Sequence, residues 1–248
     1  MPRTLHTALV LIAAFALSSC VLTPGKFVSK LTINADRSFA FTYTGQVIAL
    51  DMDDPVKGLG DSLNDDGAKP ADNGDADTDK GTHKIALQDD GKAQTAAQKK
   101  AVTEAKNRAI AEALSREAGY RKVTYMGDGV FDVDYAISGT LTHSFIYPFN
   151  IDAEAVFPFI AVELRANGTV RMKAPAFGNE DSSKSMPGSD QAQNRMDGSF
   201  TLDTDAEIVS QNSEDGATTN GSRKVIIWRA TPASKSAPMA VLRFPAGK

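Results

Sequence analysis

Residues 51–92 form a long acidic stretch that divides the chain into a short N-terminal part and a longer C-terminal part. The stretch contains twelve Asp, no Glu and five Lys, a net charge of −7, and almost no aromatic residue. Such a composition buries too little apolar surface to offset the entropy that the chain loses on folding. We therefore expect a disordered acidic insert at 51–92 within a folded domain.

Three carboxylates in the insert, Asp75, Asp77 and Asp79, have the alternating spacing of an EF-hand calcium loop. That loop also needs Gly at its sixth position and Glu at its twelfth, where this chain has Lys80 and Ala86. The departures favour a solvated acidic loop over a specific calcium site. Because the sequence holds no other metal-ligand or cofactor motif, we expect no metal and no cofactor.

The first nineteen residues have the pattern of a secretory signal peptide. Arg3 precedes an uncharged apolar run at residues 8–17, and Ser18 and Ser19 follow it. Ten apolar residues are too few to cross the hydrocarbon layer, which needs about 20 residues of helix. A basic start, a short apolar run and small residues at its end together predict a signal peptide at 1–19.

The sequence Leu17-Ser18-Ser19-Cys20 resembles the lipobox of bacterial lipoproteins. The resemblance implies that acyl chains such as palmitate are attached to Cys20, that the chain is cut before it, and that the new amino terminus is acylated. Two or more acyl chains anchor a protein stably in a membrane. Cys20 is also the one cysteine of the chain, so its acylation leaves no thiol for a disulfide or for catalysis.

The position after the lipobox cysteine suggests where the protein is sorted. Val21 stands there rather than Asp, and by resemblance to sorted Gram-negative lipoproteins this favours the outer membrane, with the protein facing the periplasm. We expect residues 20–25 to be the lipid anchor and tether. A single α+β domain at 26–248 then lies close to the bilayer surface.

Alternating apolar residues predict β-hairpins on both sides of the insert. Before it, the turn at 35–38 separates two strands whose apolar residues share a face: Phe27, Leu31 and Ile33 in the first, and Phe39, Phe41, Tyr43 and Val47 in the second. After it, Gly127-Asp128-Gly129 separates two strands. Asn167-Gly168 fits a type I′ turn in a third hairpin. The polar stretch at 178–198 is expected to be a mobile loop.

One helix is expected from about residue 94 to 118, with Gly119 as its stop signal. Its predicted apolar stripe consists of Val102, Ala105, Ala109, Ile110, Ala113 and Leu114. Glu104 to Arg108 and Glu112 to Arg116 form two ion pairs in the favourable order. A helix lying on lipid headgroups is the alternative, but balanced pairs and small apolar residues favour a helix that covers a sheet.

Together these elements predict an α+β fold. We expect one mostly antiparallel sheet of about six to eight strands, with one long amphipathic helix packed on one face.

The sequence gives little support to catalysis. His143 is the one histidine outside the signal peptide and the insert, and no nucleophile motif accompanies it. Asp132 and Asp134 could act as paired carboxylates, but alternation places them on the face opposite Phe131 and Val133, where an exposed polar surface is the simpler interpretation. We expect no enzymatic activity, and no basic, aromatic-rich surface predicts nucleic-acid binding.

One segment of the sequence is unusually rich in aromatic residues and is a candidate for ligand binding. Five aromatic residues lie close together in the sequence: Phe145, Tyr147, Phe149, Phe157 and Phe159. They are consistent with core packing, which is the simpler interpretation, and also with the wall of a crevice for an acyl chain. Pro148 and Pro158 argue against a regular central strand here.

Three C-terminal segments, "GSFTLDTDAEIVSQN", "TTNGSRKVIIWRAT" and "MAVLRF", are similar in order to the end of the mycobacterial LppM-type lipoprotein domain. A lipidated cysteine followed by a hairpin and a later helix also resembles that domain, whereas the acidic insert departs from it. The opening "CVLTPGKF" resembles uncharacterised lipoproteins of alphaproteobacteria. The LppM-type resemblance implies a non-enzymatic envelope domain that binds lipid or glycolipid, and it transfers no catalytic residue. The alternative is a structural or assembly accessory that docks onto another envelope protein through the loop at 178–198.

Overall fold

The computed structural model describes residues 20–51, 95–148, 158–178 and 194–245. The expected signal peptide at 1–19 lies outside these ranges, as do Phe149, Phe157 and most of both the acidic insert and the 178–198 loop. The described residues form twelve β-strands, one α-helix and a short 3₁₀ turn at Pro175–Phe177.

Seven strands form one sheet, in the order β10-β11-β8-β1-β2-β4-β3. Their bounds are β1 Cys20–Ile33, β2 Ser38–Asp51, β3 Tyr120–Gly127, β4 Val130–Thr140, β8 Asp197–Thr204, β10 Thr218–Asn220 and β11 Arg223–Ala230. β1 and β8 run parallel, and the other neighbours in this sheet are antiparallel.

The other five strands form a second sheet, in the order β5-β6-β7-β12-β9. Their bounds are β5 Phe145–Tyr147, β6 Ile160–Leu164, β7 Thr169–Lys173, β9 Glu207–Gln211 and β12 Met239–Arg243. The expectation of a single sheet is therefore wrong. Over the described strands, the chain passes between the sheets five times, over as few as two residues from β8 to β9. Alternation within a strand does not tell which sheet that strand joins.

The three expected hairpins are confirmed as β1–β2, β3–β4 and β6–β7. The turn type of the last hairpin is different. A type I′ turn has a positive φ at both central residues, but in this loop only Gly168 has one, +76°. The amide of Gly168 donates to the carbonyl of Arg165 at 3.1 Å, and the amide of Arg165 donates to the carbonyl of Thr169 at 2.9 Å. The loop therefore has three residues, with glycine in its left-handed position.

The core lies between the two sheets and is rich in aromatic rings. Ring centroids of Tyr43 and Phe159 are 5.6 Å apart, and those of Phe27 and Phe177 are 4.4 Å apart, so rings from the seven-stranded sheet contact rings on the other side. Phe177, in the 3₁₀ turn, is fully buried. Aromatic pairs of this kind add to the stabilisation that comes from burying apolar area.

Helix α1 spans Ala96–Leu114 and is shorter than expected. It begins with a capping box, in which Thr95 and Gln98 each bond the other's backbone amide. Its last residue is Leu114, with Ser115 as the C-cap, rather than about residue 118 with Gly119 as the stop. The pairs Glu104–Arg108 and Glu112–Arg116 are confirmed as salt bridges.

The expected apolar stripe of α1 is only partly correct. Ile110 and Leu114 are half-buried, but the fully buried positions are Asn107 and Ala111. Val102 is 59% exposed, and three alanines of the stripe are exposed as well: Ala105, Ala109 and Ala113. The expectation of a long amphipathic helix is therefore not supported, because the face turned to the sheet includes a buried amide.

Asp203 on β8 joins three strands of the seven-stranded sheet. Its carboxylate lies 2.8 Å from the ammonium of Lys30 on β1 and 2.6 Å from Nε of Arg223 on β11. Arg223 also donates to Asn34 Oδ1 at 3.0 Å. Burial by itself raises the pKa of Asp203, but the hydrogen bonds from Lys30 and Arg223 outweigh it, so the pKa lies below its ordinary value of 3.8.

We expect Asp203→Asn to lower the free energy of unfolding at neutral pH by about 1–2 kcal/mol. A carboxylate with a lowered pKa stabilises the fold above its unfolded pKa and stops doing so as pH falls through its folded pKa. The difference between wild type and variant should therefore shrink below about pH 4. Urea unfolding over a pH series measures it, and a difference that stays constant down to about pH 2 would contradict this account.

Candidate functional site

An apolar cleft lies between α1, the inner face of the seven-stranded sheet and the end of β5. It is lined by Leu22, Val47, Ile110, Leu114, Tyr120, Phe131, Val133, Tyr147, Pro148 and Phe159. None of these side chains carries a charge. The cleft is narrow, with a cavity volume of about 20 Å³.

The structure places the described members of the aromatic segment in two roles. Tyr147 and Phe159 are buried in the core, with exposed fractions of 2% and 0%, and they also form one wall of the cleft. Phe145 is half-buried against Phe39 and Phe41, with ring centroids 5.4 Å and 5.7 Å apart. Core packing is consistent with all three residues, and ligand binding by Phe145, Tyr147 and Phe159 stays a prediction.

A polar clamp, formed by Glu104, Asn107, Tyr125, Asp128 and Gly129, holds α1 against the β3–β4 hairpin. The Tyr125 hydroxyl donates to Glu104 Oε1 at 2.9 Å, and it accepts from Asn107 Nδ2 at 3.3 Å and from the Gly129 amide at 3.1 Å. The Asp128 amide also donates to Glu104, at 3.0 Å. These contacts position the helix whose Ile110 and Leu114 line the cleft.

Three tyrosines stand side by side at the cleft. The ring of Tyr135 lies 4.9 Å from that of Tyr120 and 4.5 Å from that of Tyr147, centroid to centroid. Burial, and next the neighbouring Tyr135, raise the pKa of Tyr120 to about 12. Burial also raises the pKa of Tyr147 well above its ordinary value. The phenols are therefore uncharged at physiological pH.

Leu22 brings the beginning of β1 into the cleft. Cys20 is the first residue of β1 and pairs with Asp51 of β2. Residues 20–25, expected to be a tether, are thus part of the strand. The sequence pattern did not indicate Leu22 as a site residue, since it precedes the first clear alternation.

The other candidate residues do not form a reactive site. His143 is exposed, and its Nδ1 lies 3.0 Å from the hydroxyl of its neighbour Thr142. Asp132 and Asp134 lie on the outer face of β4 as predicted, and Asp132 pairs with Lys122 at 3.4 Å. Within the four described ranges, no three His, Cys, Asp or Glu side chains converge to hold a metal.

The described residues thus form two β-sheets with an apolar cleft under α1. No protein-family model and no curated protein matches the sequence. Among solved structures, the chain is weakly similar to the NMR structure of the folded domain of LppM from Mycobacterium tuberculosis. The TM-score is 0.31 and the identity 16%, over 92% of this chain and 93% of that one. No helix in the described residues is long and apolar enough to cross a membrane.

Replacement of the central residue of the polar clamp should loosen the helix. Tyr125→Phe removes the hydroxyl that pairs with the buried Asn107, so we expect a loss of about 1–3 kcal/mol in the free energy of unfolding. Amide hydrogen exchange in α1 should become faster. Tyr120→Phe is the matched control, because no described residue bonds its hydroxyl, and equal effects of the two changes would contradict the role of the clamp.

Proposed function

We propose that this chain is a non-enzymatic, membrane-anchored lipoprotein of the cell envelope that holds the acyl chain of a lipid or glycolipid in the apolar cleft. The observation that carries the proposal is the lining of the cleft, which is apolar and free of charged side chains. Pockets with this lining suit hydrocarbon, because burying apolar surface gives about 25 cal/mol per Å² and no charge has to be desolvated.

The position of the expected anchor supports the same proposal. Leu22, which lines the cleft, is two residues from Cys20, the expected lipidation site, and strand residues rise by roughly 3.3 Å each. Acyl chains on Cys20 would thus keep the rim of the cleft about 7 Å from the anchoring point. We assign the protein to the periplasmic face of a Gram-negative outer membrane on the pattern of residues 17–21.

The narrowness of the cleft implies that α1 has to move when a chain enters. Ile110 and Leu114 line the cleft from the side of the helix, so a chain that enters has to displace these two side chains. The polar clamp lies one to two turns further towards the N-terminal end of α1. The helix can therefore tilt about the clamp while the sheet stays in place.

We test lipid binding with a substitution that fills the cleft. The full chain, purified in a non-ionic detergent, is mixed with monoolein or oleate and analysed by native mass spectrometry for one-to-one adducts. Ile110→Trp should lower the bound fraction about tenfold or more, because the indole occupies the space of the chain. Ala113→Trp, on the exposed side of the same helix, should bind like the wild type.

Two results would contradict the proposal. If the wild type forms no adduct with either lipid, or if both tryptophan variants bind as well as the wild type, the cleft is not a lipid site. Circular dichroism and thermal unfolding establish that both variants fold.

An accessory that docks onto another envelope protein is the alternative function. Two large apolar side chains on the outer face of the seven-stranded sheet favour it: Val28 on β1 is 63% exposed and Ile227 on β11 is 53% exposed. A photo-crosslinking residue at position 28 should then capture one specific protein in cells. The same residue at position 122, on the outer edge of that sheet, serves as the control.

A further inference from the structure

Three hydroxyl groups at the cleft have no hydrogen-bond partner among the described residues. They belong to Tyr120, Tyr135 and Tyr147, and Tyr147 is 98% buried. A buried tyrosine hydroxyl usually finds a partner. Tyr43, in the same aromatic cluster, follows that rule, since its hydroxyl donates to the carbonyl of Gln46 at 2.7 Å.

These hydroxyl oxygens are not sealed in the core. In the described part of the chain, the fully buried side-chain nitrogen or oxygen atoms without a partner are Arg171 Nε and Arg223 Nη2. The oxygens of the three tyrosines are not among these fully buried atoms, and two of the three residues, Tyr120 and Tyr147, line the cleft. The hydroxyl groups of Tyr120 and Tyr147 can therefore form hydrogen bonds with a ligand in the cleft.

The charge of the cleft restricts what that ligand can be. No Lys, Arg or His lines it, so a carboxylate or phosphate inside would lose its hydration without gaining a counter-ion. Neutral phenols can both donate and accept one hydrogen bond. They suit an ester carbonyl or an alcohol next to a hydrocarbon chain.

We propose that the cleft selects lipids whose polar group is uncharged, such as acylglycerols, and that the Tyr120 and Tyr147 hydroxyls bind the ester or alcohol oxygens of that group. This inference rests on the proposed lipid-binding function and adds the chemical class of the ligand. A free fatty acid with the same hydrocarbon chain is ionised at neutral pH, so the cleft excludes it.

The test is a competition between two lipids that share one hydrocarbon chain. The full chain in non-ionic detergent is mixed with equal amounts of monoolein and oleate at about pH 8, and adducts are counted by native mass spectrometry. The monoolein adduct should exceed the oleate adduct about tenfold. In the double variant Tyr120→Phe/Tyr147→Phe, monoolein binding should fall about three- to tenfold, the effect of one to two lost hydrogen bonds.

Tyr43→Phe is the matched control, because its hydroxyl is already bonded to Gln46 and it does not line the cleft. This variant should keep the preference for monoolein. Equal binding of the two lipids, or an unchanged preference in the double variant, would overturn this inference, and sensitivity to Ile110→Trp would show that lipid binding itself still stands. Absence of both adducts in the wild type would instead overturn the proposed function, and this inference with it.

Discussion

The packing of Tyr147 between the two sheets is the contact on which the rest of the structure depends. Its ring lies 5.0 Å from Phe41, 5.6 Å from Tyr43 and 4.5 Å from Tyr135, all on the seven-stranded sheet, and 5.9 Å from Phe159 on its own side. β5, which carries it, has only three residues. One side chain therefore fixes the end of a short strand against the facing sheet, and its remaining edge forms the wall of the cleft.

Tyr147 also explains why core packing and ligand binding are not exclusive interpretations of the aromatic segment. A residue at the border of a core contacts core rings on one side and open space on the other. The cleft exists because α1 meets the sheet through polar contacts near Tyr125 rather than through a continuous apolar stripe. Where Ile110 and Leu114 approach the sheet, the packing is incomplete, so open space remains between helix and sheet.

Local patterns predicted the local structure well, because their information lies in adjacent residues. The hairpin β1–β2 follows from alternation and a turn at 35–38, and β3–β4 follows from Gly127-Asp128-Gly129. The pairing of β1 with β8 joins residues about 170 positions apart, and no local pattern encodes it. The division into two sheets could not be predicted for the same reason.

The helix face was predicted incorrectly because apolarity was taken as the signal for burial. Asn107 is buried since Tyr125, on another element, accepts its hydrogen bond, whereas Val102 has no such neighbour and stays exposed. Among the residues that line the cleft, aromatic density in the sequence indicated Tyr147 and Phe159 as candidate ligand contacts. Periodicity indicated Ile110 and Leu114 only as part of the apolar face of the helix. The sequence could not indicate the cleft, because a cleft is a property of how three elements meet.

A β-bulge in β1 places Leu22, near the start of that strand, on the side of the sheet that faces the cleft. Pro24 pairs with Val47 and Phe27 with Gly45, so β1 has one residue more than β2 between these pairs. The extra residue reverses the alternation: Phe27, Leu31 and Ile33 face the core, and before the bulge the even-numbered Leu22 faces the same side.

Gly45 makes the bulge possible. Its φ is +141°, and a Cβ at this position would lie 2.2 Å from the carbonyl oxygen of Lys26. Without the extra residue, Leu22 would face the opposite side of the sheet, and the strand that starts at Cys20 would contribute no apolar side chain to the cleft. The bulge is thus the feature that gives the cleft a rim beside the expected anchor.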